Sequence, residues 1–104
     1  MDRAWANASK GLRQCQKADE ELDEGDVDAA SKHYNKALEY FSIAADHLQK
    51  AENQAYAKAG SLVDDGNREL QKAIDKYADG DVDGAEKHYE KALEKYDEAL
   101  NEIP

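Results

Sequence analysis

The chain has 104 residues, in which 24 Asp and Glu outnumber 14 Lys and Arg, so the formal net charge is −10. This acidic balance argues against a nucleic acid partner, because phosphate binding requires clustered Lys and Arg. No apolar run approaches the length of a membrane-spanning helix, so we expect no direct insertion into a membrane. The length fits one domain, and we expect residues 1–104 to form a single helical unit.

Two features of the sequence, its first residues and its single cysteine, bear on the cellular compartment of the protein. Residues 1–5 contain no apolar segment of the kind found in secretory leaders, so we expect no signal peptide. The single cysteine, Cys15, cannot form an internal disulfide, which fits a reducing compartment. We therefore expect a cytoplasmic protein.

The first half of the chain predicts two helices, over residues 2–23 and 27–50. Apolar residues recur in both at steps of three and four, which is the helical period. The first stripe is the weaker one and consists of Trp5, Ala8, Leu12, Cys15, Ala18 and Leu22. The second consists of Val27, Ala30, Tyr34, Ala37, Phe41, Ala44 and Leu48. Between the helices, Gly25 suits the left-handed position after a helix, and Asp26 suits the N-cap of the next one.

The segment 49–62 leaves three alternatives open. Gly60 and Ser61, followed by Asp64, fit a helix end and then a capping box. Asn53 fits a short turn instead. In the third alternative one helix continues through residues 27–78, which would expose an apolar seam and force a swapped dimer.

The second half predicts helices over residues 57–78 and 82–103, joined at Gly80, with Asp81 as the N-cap. The apolar positions of the third helix are Val63, Leu70, Ala73, Ile74 and Tyr77. Those of the fourth are Val82, Ala85, Tyr89, Ala92, Tyr96, Ala99 and Ile103.

The chain is an internal duplication with an offset of 55 residues, and the repeats span 1–52 and 56–104. Matching segments are 25–28 with 80–83, 32–34 with 87–89, 36–39 with 91–94, and 16–18 with 71–73. We therefore expect an all-α, antiparallel four-helix bundle built from two duplicated hairpins. Four residues are expected to be largely buried at the helix seam, and two leucines to widen it. The four are Tyr34, Tyr89, Ala37 and Ala92, and the two are Leu38 and Leu93.

The repeat resembles known helical hairpins. Residues 80–93, from Gly80-Asp81 to Ala92-Leu93, look like the second helix of tetratricopeptide-type repeats. The microtubule-interacting-and-transport (MIT) domain is the better fit, on Lys72-Ala73 and the later Val82, Ala85 and Tyr89. Residues 37–41 also resemble its second helix. MIT domains are three-helix bundles that bind short helical peptides in a groove between helices, so the resemblance implies a peptide-binding function.

One acidic segment matches the pattern of a calcium-binding loop. Asp79, Asp81, Asp83 and Glu90 fall at the ligand positions of D-x-D-x-D-G-x5-E. However, the apolar stripe of the fourth helix continues through this segment, and the other repeat does not keep the pattern. We prefer an acidic turn without a tight calcium site, and a calcium-binding domain is an alternative.

The remaining candidates for chemistry have simpler interpretations. His33 and His88 are equivalent and could pair around a metal or haem, but we expect them at the boundary of the core. Cys15 is expected to be a small buried residue and not a nucleophile. With no convincing catalytic motif, we expect neither an enzyme nor a cofactor.

The favoured function is a non-catalytic helical interaction or assembly module. Its expected partner is a protein or peptide that is helical or basic, bound in a groove between helices that is lined by Ala and Tyr. The net negative charge favours a cationic partner. A homodimer is possible, and a further alternative is a structural or designed bundle without a ligand.

Overall fold

The computed structural model describes residues 2–103, which form four α-helices without a strand. This confirms the all-α prediction. The helices are α1, Asp2–Asp23; α2, Val27–Gln49; α3, Gln54–Ala78; and α4, Val82–Glu102.

Each helix packs against its neighbour in the chain: α1 on α2, α2 on α3, and α3 on α4. The short turns make consecutive helices antiparallel, and the bundle measures 42 × 21 × 17 Å. Within the described residues, no Cα atom of α1 comes within 8 Å of a Cα atom of α4. The bundle is thus closed on three sides, while the side between its first and last helices is held only by side chains.

The two hairpin turns have the same construction, as the duplication predicts. Gly25 and Gly80 have φ angles of 83° and 82°, which are left-handed values that favour glycine. The amide of Gly25 donates to the carbonyl of Leu22, and that of Asp26 donates to the carbonyl of Glu21. These two bonds define a Schellman helix end, and the equivalent pair occurs at Gly80. The predicted chain reversals are therefore confirmed.

The same turns start the following helices. The Asp26 carboxylate accepts a hydrogen bond from the amide of Ala29 at 3.1 Å. The Asp81 carboxylate accepts one from the amide of Gly84 at 2.9 Å. Both aspartates are N-caps, as predicted, and each satisfies an amide that has no partner within its helix.

The join between the repeats follows the Asn53 alternative. The helix α2 ends at Gln49, and the Asn53 side chain caps α3 by accepting a bond from the amide of Ala55 at 2.8 Å. The continuous helix over 27–78 is therefore wrong, and so is a helix end at Gly60. Gly60 lies inside α3, where an added Cβ would approach the carbonyl oxygen of Ala45 to 3.0 Å. This glycine allows close packing of α3 on α2.

Aromatic residues and alanines fill the core. Tyr34, Ala37 and Ala92 are fully buried, which confirms their predicted place at the seam. Tyr89 is only half-buried, because it lies beside the open side of the bundle and its hydroxyl reaches Asp19 on α1. Leu38 packs against the core, as predicted. The predicted position of Leu93 is wrong, since this residue is 38% exposed.

The register of α1 differs from the predicted stripe. Ala4 and Gly11 are buried, whereas Trp5 and Leu12 are 43% and 46% exposed. The reason is the close approach at Gly11, where an added Cβ would lie 2.8 Å from a ring carbon of Phe41. Small residues thus bring α1 close to α2, and the larger apolar residues of α1 are left at its side.

We expect Gly80→Val to lower the free energy of unfolding by about 1 kcal/mol or more, since a β-branched residue resists a positive φ. Gly80→Asn is the matched control, because asparagine tolerates this conformation better. Urea unfolding followed by circular dichroism measures both variants. Equal stability of the valine variant and the wild type would contradict this account of the turn.

Candidate interaction groove between the first and last helices

An apolar groove lies where α1 and α4 stay apart, at the end of the bundle that holds the start of α1 and the end of α4. Its volume is about 170 Å³. One wall consists of Trp5, Ala8, Ser9 and Leu12 of α1, and the other of Tyr96, Ala99, Leu100 and Ile103 on and just after α4. The floor consists mainly of Phe41, Ala44, Leu48 and Val63 from α2 and α3.

The rim of the groove carries large apolar side chains that remain exposed to solvent. Trp5, Leu12 and Leu100 are between 43% and 48% exposed, although each lines the groove. Leu93 and Val82 precede Leu100 on α4 by about two and about five helical turns, so they lie on the same face of the helix. Contiguous exposed apolar surface of this kind marks binding sites, whereas a single exposed apolar residue is ordinary.

The opposite end of the α1–α4 side is polar. The hydroxyl of Tyr34 donates to one carboxylate oxygen of Asp19 at 2.6 Å. The hydroxyl of Tyr89 donates to the other oxygen at 3.4 Å. These bonds link α1 to α2 and, more loosely, to α4, so Asp19 is held in place while its residue remains exposed.

A tyrosine cluster supports this carboxylate from inside. The ring of Tyr34 stacks on that of Tyr77 at 5.7 Å between centroids, with an interplanar angle of 4°. The Tyr34 ring also contacts that of Tyr89 at 5.0 Å. The buried Tyr77 hydroxyl has no hydrogen-bond partner within residues 2–103. Burial raises the pKa of both Tyr34 and Tyr77, and for Tyr34 the bond to Asp19 adds to this effect.

Exposed acids surround this polar end. Glu86 and Glu90 lie one turn apart on α4, on either side of the level of Tyr89. Asp23 follows Asp19 one turn along α1. In the described part of the chain, none of these carboxylates has a Lys, Arg or His within 4.0 Å. The α1–α4 side therefore has one apolar end and one acidic end.

The two equivalent histidines lie at the boundary of the core, as predicted. His33 bonds to Gln14 at 2.8 Å and lies 3.0 Å from a carboxylate oxygen of Glu21, both on α1. His88 bonds to Glu69 of α3 at 2.9 Å, and this bond holds the pKa of the Glu69 carboxyl below its usual range. Each histidine thus ties its own hairpin together, and neither is bonded to the other.

The residues of the predicted calcium loop occupy the turn before α4 and the helix itself. Asp79 is the C-cap that follows α3, Asp81 caps α4, and Asp83 and Glu90 lie within α4. The helix begins at Val82, so Asp83, at the fifth position of the pattern, is already on helical backbone where a calcium loop is still irregular. Residues 2–103 contain no group of three or more His, Cys, Asp or Glu side chains placed to hold a metal ion.

We expect millimolar calcium to shift the amide resonances of residues 79–90 only weakly, as for any exposed group of acids, because Asp81 already accepts the capping bond. An NMR titration measures this, with Glu90→Gln as the comparison. Saturable binding at micromolar calcium that the substitution abolishes would contradict the expectation.

Cys15 is buried, as predicted, at the position where the second repeat has the buried Leu70. Burial raises the pKa of its thiol to about 12, from an ordinary value of 9.0. The thiolate is the reactive form, so this cysteine is protected from oxidation and alkylation in the folded protein.

Stability should fall at alkaline pH. The pKa values of Cys15, Tyr34, Tyr89 and Tyr96 are all raised by burial, so the folded state holds these protons more tightly than the unfolded chain. Their contribution is complete below about pH 9, the unfolded value for cysteine, and it falls progressively above that pH; only the Cys15 share is lost by about pH 12.

Thermal unfolding followed by circular dichroism between about pH 8 and pH 12 tests this expectation. The Tyr96→Phe variant should show a shallower loss, because it removes one buried hydroxyl. Tyr40→Phe, at a tyrosine outside the core cluster, should behave like the wild type. A melting temperature that stays constant up to about pH 11 would contradict the expectation, because that pH lies about one unit above the pKa of an unfolded tyrosine.

Sequence reasoning assigned Trp5 and Leu12 to the core, and it did not identify Asp19. The helical period alone does not distinguish a buried stripe from one displaced toward the next helix. The available signal was the pair Ala4 and Gly11, which lie on a neighbouring stripe of small residues.

No protein family, no curated protein and no solved structure matches the chain. Within the part of the chain that the structure describes, no helix is long and apolar enough to cross a membrane.

Proposed function

We propose that the protein is a non-catalytic interaction module, which binds an amphipathic, basic helix along the groove between α1 and α4. The observation that carries the proposal is the exposure of Trp5, Leu12 and Leu100 around one apolar groove. A helix laid between two others buries such side chains and completes the packing on the open side.

The size of the groove favours side chains of a larger partner over a separate small molecule. Pockets for drug-sized ligands have about 300–1,000 Å³, whereas this groove has about 170 Å³ and is open along the helices. Such a volume suits one or two apolar side chains. A partner helix would supply them at successive turns and cover Leu93 and Val82 with the rest of its length.

The charge favours a basic partner over a second copy of the chain. Each copy carries a net charge of −10, so two copies brought together at their acidic edges repel each other. A basic helix is instead attracted by the unpaired carboxylates at the polar end, and this attraction raises its association rate. The resemblance of the repeats to the MIT domain, which binds short helical peptides, points to the same class of partner.

The single tryptophan gives a direct measurement of binding. The probe is a helical peptide of about 18 residues, with leucines at i, i+4 and i+7 and lysines elsewhere on an alanine background. Because Trp5 lies on the groove wall, we expect its emission to shift to shorter wavelength and to saturate as the peptide is added.

Matched variants locate the site. Leu100→Lys should weaken binding at least tenfold, since it places a charge in the groove. Ile43→Lys makes the same change at an exposed apolar residue outside the groove and should leave binding unchanged. Equal binding by both variants would overturn the proposal. Self-association of the protein alone that Leu100→Lys abolishes would also overturn it, in favour of a second copy as the occupant.

A further inference from the structure

Resting on the proposed function, we infer that Asp19 receives a lysine or arginine of the bound helix, about two turns from the apolar side chains that fill the groove. The partner would then be recognised by the separation between its apolar residues and its basic residue, and not by charge alone.

The geometry of Asp19 fits this role. Tyr34 and Tyr89 each donate to a different carboxylate oxygen, so the group is fixed before a partner arrives. A carboxylate has about four acceptor positions, and these two bonds leave the others free. An ammonium or guanidinium group would find an oriented acceptor on an exposed residue.

The surroundings of Asp19 lack a cation and contain a polar atom without a partner. No Lys, Arg or His of residues 2–103 pairs with Asp19. The Tyr77 hydroxyl, on a residue that is 3% exposed, lies beside Tyr34 without a hydrogen bond, close to the charges of Asp19 and Glu86. A positive group at Asp19 would balance the negative charges of Asp19 and Glu86 on this side of the bundle.

The duplication shows that a carboxylate is not required here for packing. The equivalent position in the second repeat is Ile74, which is buried between helices. Asp19 instead lies on the side where no further helix covers α1. The repeats thus differ, with Asp19 in one and Ile74 in the other, at a position where only the first faces the open side of the bundle.

The spacing follows from the helix geometry. Asp19 lies seven residues after Leu12 on α1, which is about 10 Å along the helix axis. A partner helix that packs along α1 covers the same distance in about seven of its own residues. Its basic residue is therefore expected about seven residues from the apolar residue that packs against Leu12.

The experiment compares peptides that differ at this one position. Each has leucines at i, i+4 and i+7 on an alanine and glutamine background, with either lysine or glutamine about seven residues from the nearest terminal leucine. The peptide helix can lie in either direction along α1. The lysine is therefore placed before the leucines in one pair of peptides and after them in another. Trp5 emission gives the dissociation constants for the wild type, Asp19→Asn and Glu39→Gln.

We expect the lysine peptide of one pair to bind the wild type about tenfold more tightly than its glutamine partner, as for a hydrogen bond to a charged group. Asp19→Asn should remove this difference while keeping the affinity for the glutamine peptide. That unchanged affinity shows that the groove is intact. Glu39→Gln, at an exposed acid of α2, should keep the tenfold ratio.

Three results would overturn the inference. Equal binding of lysine and glutamine peptides by the wild type would do so and leave the proposed function standing. A loss of affinity for both peptides in Asp19→Asn would show that Asp19 supports the fold only. Absence of saturable binding for every peptide would remove the proposed function together with the inference.

Discussion

Tyr34→Ala is expected to lower the free energy of unfolding by about 3–5 kcal/mol, the cost of truncating a fully buried aromatic residue. The side chain is completely buried, stacks on Tyr77 and donates to Asp19. A domain of this size has a total of about 5–15 kcal/mol, so the variant should melt more than about 12 °C below the wild type. Differential scanning calorimetry measures the change.

Two comparisons separate the ring of Tyr34 from its hydroxyl. Tyr34→Phe keeps the ring and should lose only about 1–2 kcal/mol, mainly the hydrogen bond to Asp19. Tyr89→Ala should cost less than Tyr34→Ala, because Tyr89 is only half-buried. If Tyr34→Ala melts like the wild type, the core does not depend on the tyrosine cluster.

Gly66→Val is expected to destabilise the protein by about 2–3 kcal/mol through overpacking. A Cβ at this position would lie 2.6 Å from a ring carbon of Tyr96. That ring cannot move away easily, since it packs on Phe41 at 4.3 Å and its hydroxyl donates to Asn67 at 2.7 Å. Urea unfolding gives the free energy.

Ser61→Val is the matched control for this change. It introduces the same side chain in the same helix at an exposed position, where a surface substitution costs about 0.5 kcal/mol or less. Gly11→Val should reproduce the defect in the first hairpin, because the added Cβ meets Phe41. Equal stability of Gly66→Val and Ser61→Val would show that α3 and α4 do not depend on this close approach.

The features that were predicted correctly are local in the chain. Gly25 with Asp26, and Gly80 with Asp81, determine their turns through backbone conformation and a side-chain cap within a few residues. The repeat then gave the same hairpin twice. Local signals of this kind act before any tertiary contact forms, so sequence alone was sufficient for them.

The groove depends on distances that no local pattern contains. Gly11 and Phe41 determine how closely α1 packs on α2. This close packing leaves Trp5 and Leu12 exposed to solvent. The role of Asp19 likewise requires Tyr34 and Tyr89 from two other helices. The join at Asn53 was underdetermined for a different reason, since several capping residues in one segment competed and only packing chose between them.

The backbone of each helix comes within 8 Å, between Cα atoms, only of the helix next to it along the chain, which gives the bundle the character of a short linear array. In such an array a terminal helix can open while the remaining pairs stay folded, so α1 and α4 are the natural units of partial unfolding. A helix bound in the groove changes this pattern of packing, because it contacts both α1 and α4 and so connects the two terminal helices. Binding would then slow amide hydrogen exchange most in α1 and α4. The bound protein would also unfold more cooperatively than the free protein.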